Sequence, residues 1–331
     1  MSTKQQLVTS LNETDAGHDG RTQSHSLWFR LGMAAVWLVI FLLWASWLLA
    51  VWVYVRLIAT DLEAVYHWDP FIATGMRAAA AGLGVSPALF AWVFLASASA
   101  LVATFGIAGV ILFRHKQDGF GAFLGVSLVL IGTYIASPVA TVLSVPWPVL
   151  ERPLGLLGGL AFVAFGALLY LFPDGRFIPR WTRWLPPLMF LQMWVWYGSE
   201  LSQLFSTLSA LTYLGIGLGA QVYRYRRLSD AVARRHIRWI MVSFAAFVLV
   251  IVINTLLAPN TITKTAPLSP HDLLVSILTL PAITAASIGF VIALSVAILR
   301  DGLYNLDIFI NRALVYGGLS LLITAVYILL V

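Results

Sequence analysis

Residues 223–238 read YRYRRLSDAVARRHIR, with arginine at 224, 226, 227, 234, 235 and 238, a single acid at Asp230, and a long uncharged run on either side. In a polytopic membrane protein the short loops rich in Lys and Arg stay in the cytoplasm, so this stretch fixes one point of the topology. The other segments are counted outward from it.

Of the 331 residues, 60% are hydrophobic and 10% charged, against roughly a quarter charged in soluble domains. The expected fold class is therefore an all-α integral membrane protein, with the lipid bilayer as its first partner. A net charge of +6 can signal nucleic-acid binding. Here the arginines sit in short loops beside apolar runs rather than along one face of a soluble domain, so no nucleic-acid partner is expected. With no cysteine, disulfides, thiolate metal sites and thiol nucleophiles are excluded together.

Residues 1–26 are polar and poor in large apolar side chains, which predicts a disordered tail on the cytoplasmic side; residues 27–331 form the multi-pass region. The expected spans are about 31–57, 88–113, 120–143 and 154–172, the first too long and Trp-rich for a cleaved signal. Between the first two lies an outer segment, 60–87, in which 71–83 can form an interfacial helix with Phe71, Ile72 and Met76 on one face. The fourth span stops at Pro173-Asp174-Gly175 and delivers a second basic loop with Arg176, Arg180 and Arg183. Two basic loops belong on one side, so residues 184–222 must cross an even number of times. That places a hairpin near Gly198-Ser199-Glu200, with a short fifth span from Pro186-Pro187 and a sixth ending near Val222.

A seventh span at about 239–257 and an eighth at 273–299 return the chain to the inner side at Arg300. In this scheme all Lys and Arg except Arg56, Arg77, Arg152 and Lys264 lie on that inner side. The arginines that set the topology are Arg176, Arg180, Arg183, Arg224, Arg226, Arg227, Arg234, Arg235 and Arg238. A ninth span, 313–331, runs outward, for about nine spans in all with the N-terminus cytoplasmic.

Away from their ends the spans contain no Asp, Glu, Lys, Arg or His. An ionisable group at the bilayer centre costs at least about 2.5–3.5 kcal/mol and persists mainly where a proton, ion or substrate path needs it. Proton-coupled transport and intramembrane metal chemistry are therefore poor fits. Gln192 and Asn254 are the most polar groups at depth, and interhelical hydrogen bonds are the expected use of such side chains. The pairs Gly121/Gly125, Gly155/Gly159 and Gly215/Gly219 are spaced for close helix approach. His67, Asp69 and Glu63 form a loop cluster, but no His pair has metal-ligand spacing on a helix, so no metal and no cofactor site is expected. A glycine-flanked nucleophilic serine and a phosphate-binding Gly-rich loop are both missing, and no catalytic residue is assigned.

Residues 299–318, LRDGLYNLDIFINRALVYGG, form a short inner connection in which Asp307 and Asn311 share a helix face. The run Asp307, Ile308, Asn311, Arg312, Leu314, Val315, Tyr316, Gly317 resembles the passage that opens the last pair of spans in multi-pass bacterial two-component sensor histidine kinases. Phe172-Pro173-Asp174-Gly175-Arg176-Phe177 with Pro179-Arg180-Trp181 resembles an earlier inner loop of those proteins, and Arg234-Arg235 before Ile237-Arg238-Trp239 resembles the next one. The resemblance covers roughly 154–331.

It implies a stimulus-sensing membrane region in a bacterial cell membrane, a homodimer, and a signal-relay junction at Asp307, Asn311, Arg312 and Tyr316. It further implies a tenth span beyond Val331 and a cytoplasmic core that uses ATP and Mg to phosphorylate a histidine, then a response regulator. The motifs of that core do not occur in these residues, so enzymatic activity is expected only of a longer protein. Two other classes fit the composition, a small-molecule transporter or channel subunit and a non-catalytic membrane scaffold.

Overall fold

A computed structural model describes residues 3–66, 70–115, 119–135, 138–172, 176–198, 203–227, 231–258 and 267–299; for 3–29, 70–71, 74, 138–139, 194–198, 203–207, 231–237, 239 and 255 it describes the backbone alone. Among the described residues every regular element is helical. The α-helices are α1 (Thr3–Thr60), α2 (Leu62–Val65), α3 (Pro70–Leu83), α4 (Pro87–His115), α5 (Gly119–Leu130), α6 (Glu151–Leu171), α7 (Leu185–Gly198), α8 (Gln203–Arg227), α9 (Ala231–Leu257) and α10 (Pro270–Leu299).

Four segments are long and apolar enough to cross a bilayer: Arg30–Thr60, Pro87–His115, Pro148–Leu171 and Pro270–Leu299. The shortest has 24 residues, about 36 Å of helix against a hydrocarbon core of about 30 Å. Their outward surfaces are apolar. Phe41, Leu38 and Leu48 on α1, Ile107 on α4, Leu156 and Leu160 on α6 and Leu278 on α10 are all exposed, an apolar surface of the kind that marks membrane contact. The chain is a membrane protein.

Helix α1 shows how one stripe is kept for protein. Ile40, Leu43, Trp47, Ala50 and Tyr54 are buried at spacings of three and four, the period of one helix face. Its partner α4 runs antiparallel, because Trp44 lies against Gly106, Trp37 meets Phe113 edge-on at 5.3 Å and the Tyr54 hydroxyl donates to the Ala91 carbonyl at 3.3 Å. Helix α5 returns along α4 at a close approach. A Cβ on Gly109 would stand 2.7 Å from the Gly125 carbonyl, and one on Gly125 would stand 2.8 Å from the Phe113 Cβ. Gly125 belongs to an expected pair, whereas its partner across the interface, Gly109, does not.

Two cores define the ends of the bundle. One gathers Trp47, Val53, Met76, Phe90, Leu154, Leu268 and Leu273, and the other gathers Leu112, Leu124, Phe165, Leu169, Phe172, Phe244, Phe290 and Ile298. Phe165, Phe244 and Phe290 close the second with ring centroids 5.6–6.3 Å apart. Asp61, Glu63, Glu151 and Asp272 sit at the first end with Arg56, Arg77 and Arg152, and Arg176, Arg180, Arg183, Arg226 and Arg227 sit at the second.

Two expectations change. Residues 120–143 are not one uninterrupted α-helix: α5 stops at Leu130, a π turn covers Ile131–Ile135 and a 3-10 segment covers Pro138–Ser144. Pro138 has no N–H for an i−4 bond, which favours a break at that point. The backbone of α1 is helical from Thr3, and extending an existing helix adds one hydrogen bond per residue fixed without a second cost of nucleation. Finally, α3 packs on protein. Met76, Ala79 and Ala80 are buried, and Cβ atoms on Gly75 and Gly82 would meet Leu268 and Pro270 at 2.6 Å.

That cap is closed by local chemistry. Helix α3 ends in a Schellman turn, with Val85 N–H donating to Ala80 O (3.0 Å), Gly84 N–H to Ala81 O (3.1 Å), and Gly84 at φ 69°, a conformation natural to glycine. Helix α10 opens with a capping box: Asp272 N–H donates to Ser269 Oγ (3.1 Å) and Ser269 N–H to Asp272 Oδ2 (3.2 Å). Below α2, the Tyr66 hydroxyl donates to Pro87 O at 2.8 Å, and burial pushes its pKa well above the usual tyrosine value, so it stays neutral.

Candidate functional site

At the arginine end, α6 terminates one residue before Phe172 and two before Pro173, so its last carbonyls have no partner further along the helix. They also carry the negative end of the helix dipole. Helix α8 supplies what they lack. It runs parallel to α6, with Gly217 against Leu169 and the Tyr170 hydroxyl donating to the Tyr213 carbonyl at 3.0 Å. Its buried stripe is Leu214, Gly217, Gln221 and Arg224, spaced by three and four as one face requires.

The last two members of that stripe cap α6. Gln221, 2% exposed, donates from Nε2 to Leu169 O at 2.5 Å and more weakly to Phe172 O at 3.4 Å. Arg224, 3% exposed, donates from Nη2 to Tyr170 O (2.6 Å) and to Arg176 O, from Nη1 to Phe172 O and at 3.5 Å to Leu171 O, and from Nε to Ile178 O (3.3 Å). One guanidinium with five donors in a rigid fork thus gathers the end of α6 and the turn beyond it. The Ile178–Pro179 bond in that turn is cis. Gln221 Oε1 is buried without a hydrogen-bond partner.

The turn continues as a 3-10 segment, Arg180–Trp184, around Thr182, which is fully buried and donates to Pro179 O at 2.8 Å. With Thr182 facing inward, Arg180, Trp181, Arg183 and Trp184 are exposed around it. The Arg183 guanidinium stands 5.3 Å from the Trp184 ring centroid, and that of Arg227 stands 5.1 Å from Tyr223. Arg176 and Arg226 are exposed too, as is Arg238 on α9. Arg234 and Arg235 fall in the first turns of α9, where the backbone alone is described.

The two basic loops therefore touch, through Arg224 and the carbonyls of Arg176 and Ile178, and lie at one end of the bundle. Between them, α7 runs antiparallel to α6, with Met189 against Gly166 and Met193 against Gly159. Gln192 on α7 donates to Ser209 Oγ on α8, so the two helices meet side by side. The 14 residues of α7 make about 21 Å of helix, short of a full hydrocarbon core.

Asn254 on α9 accepts from the Thr279 hydroxyl on α10 at 2.6 Å. Gln192 and Asn254 thus each join neighbouring helices. Gly215 and Gly219 face open space, and Gly217 between them makes the close contact. Glu63 forms an exposed ion pair with Arg77 at 3.0 Å, while its loop neighbours His67 and Asp69 lie outside the described residues. No group of three His, Cys, Asp or Glu that could hold a metal occurs among the described residues. Asp307, Asn311, Arg312 and Tyr316 lie outside the described residues as well.

Arg224 was legible as one of six arginines in a basic loop; its role as a cap was not. Its signal lies in the periodicity of α8, which carries the apolar stripe Leu214–Gly217 onward through Gln221 to Arg224. Compared with known proteins, the chain matches no family model, no curated protein and no solved structure.

Proposed function

We propose that this chain is the membrane-embedded sensing region of a bacterial two-component sensor histidine kinase. In this reading it crosses the cell membrane about nine times with its N-terminus in the cytoplasm, and it relays a stimulus through Asp307, Asn311, Arg312 and Tyr316 to a kinase core beyond Val331. ATP and Mg would serve that core, and a response regulator would receive the phosphate. The partner in the membrane would be a second copy of the chain.

One observation carries the reading. The loop whose residues resemble an inner loop of such kinases, 172–181, is the loop that the Arg224 guanidinium gathers onto the end of α6. Two residues of that segment, Arg176 and Ile178, thus give their carbonyls to a buried cation, which supports a role for this junction in relaying a packing change. Transport is less well supported, because Gln192 and Asn254 each bond a neighbouring helix rather than line a path. Reading the gene beyond Val331 tests the proposal. A tenth span followed by a histidine-bearing helix and an ATP-binding domain is expected; a stop codon at that point would sink it.

A further inference from the structure

The rim of the Arg224 junction has a chemistry of its own. Arg176, Arg180, Arg183, Arg226 and Arg227 are exposed, while the buried Arg224 fixes the backbone between their two loops. Arg180 is two residues beyond Ile178, so its Cα lies within about 7.6 Å of that Cα. In sequence the acids nearest these arginines are Asp174 and Asp230, and the arginines outnumber them. Trp181 and Trp184 stand among the arginines at 54% and 61% exposure, and the lipid-type surface of Leu188, Phe190 and Leu191 on α7 begins one turn further on.

We infer that this rim is a binding site for the phosphodiester headgroups of anionic phospholipids in the adjoining leaflet. Guanidinium groups pair with phosphate oxygens in a two-pronged fork. Indole rings sit at headgroup depth in membrane proteins. The apolar strip immediately beside the arginines excludes an extended nucleic acid, which would have to lie against acyl chains, and it suits a ligand that presents an anionic head and an apolar tail together. The site rests on the membrane character of the chain and does not depend on the signalling reading.

Titration of the delipidated full chain in neutral detergent, followed by native mass spectrometry, tests this. The probes are phosphatidylglycerol, phosphatidylcholine of the same acyl chains, inorganic phosphate and a short RNA. Phosphatidylglycerol is expected to bind at least tenfold more tightly than phosphatidylcholine, less so at high salt. Arg180→Gln and Arg227→Gln should each weaken it roughly fivefold, and the combined Arg180→Gln/Arg183→Gln/Arg226→Gln/Arg227→Gln variant should erase the preference. Arg56→Gln/Arg77→Gln, at the other end, should leave it intact. Equal binding of the two lipids, or an unchanged preference in both single variants, would overturn the site. Displacement of the lipid by millimolar phosphate would reassign it to a soluble anion, and tighter binding of RNA would reassign it to a nucleic acid.

Discussion

Replacing Arg224 by methionine keeps much of the side-chain volume and removes the donors that organise the arginine end. The loss can be worked acceptor by acceptor. Arg176 is exposed, so water can replace the guanidinium at its carbonyl, and Gln221 still reaches Phe172 O. Tyr170 O, which is buried, is left without that donor at a cost of about 1–3 kcal/mol, and the half-buried Ile178 O costs up to about as much. Loss of a cation from the C-terminal end of α6 adds about 0.3–1 kcal/mol.

The expected destabilisation is about 3–5 kcal/mol, the middle of that sum. Arg224→Lys keeps the charge without the fork and should lose roughly half as much. Gln221→Leu should lose under about 1 kcal/mol, because the hydrogen bond it removes is offset by relief of the unpartnered Oε1. Unfolding in mixed micelles, titrated with a denaturing detergent, ranks the three variants. If Arg224→Met fell within about 1 kcal/mol of wild type, or Gln221→Leu proved the more damaging, the capping argument would be wrong.

Overpacking separates the glycines. Gly125→Ala should destabilise by about 1–3 kcal/mol against Phe113, whereas Gly215→Ala, with nothing within 4 Å, should be neutral or stabilising by about 0.5–1 kcal/mol; the same titration reads both. Asn254→Ala should cost about 0.6–2 kcal/mol through the lost Thr279 contact and leave solute flux into liposomes unchanged, so a flux that vanished would favour a transporter. Asp272→Ala breaks the capping box of α10 and should cost about 1 kcal/mol, with faster proteolysis near Leu268 as a local readout.

How much of this was legible in the chain follows from what each signal encodes. Apolar runs separated by charge mark α1, α4, α6 and α10 directly, because length and hydropathy are properties of the residues themselves. The separation of α7 from α8 was reachable by parity between two basic loops, and the Arg224 contacts show those loops meeting. The π turn at Ile131–Ile135 was not, since hydropathy is blind to hydrogen-bond register; Pro138 was the available sign. Glycine spacing marks one face of a helix without saying which face meets a neighbour, which is why Gly217 rather than Gly215 or Gly219 touches Leu169. The arginines of 223–238 are identical as letters. Only their phase on α8 distinguishes Arg224, buried beneath the turn, from Arg226 and Arg227, which are exposed.

The absence of cysteine makes accessibility labelling the most direct test that the arginine end faces the cytoplasm. Single variants Arg180→Cys, Arg227→Cys and Arg77→Cys would be treated with a membrane-impermeant maleimide in intact and permeabilised cells. The expected result is labelling of Arg77→Cys in intact cells, with Arg180→Cys and Arg227→Cys reacting only after permeabilisation. Labelling of Arg180→Cys or Arg227→Cys in intact cells, or on opposite sides of the membrane, would contradict the account.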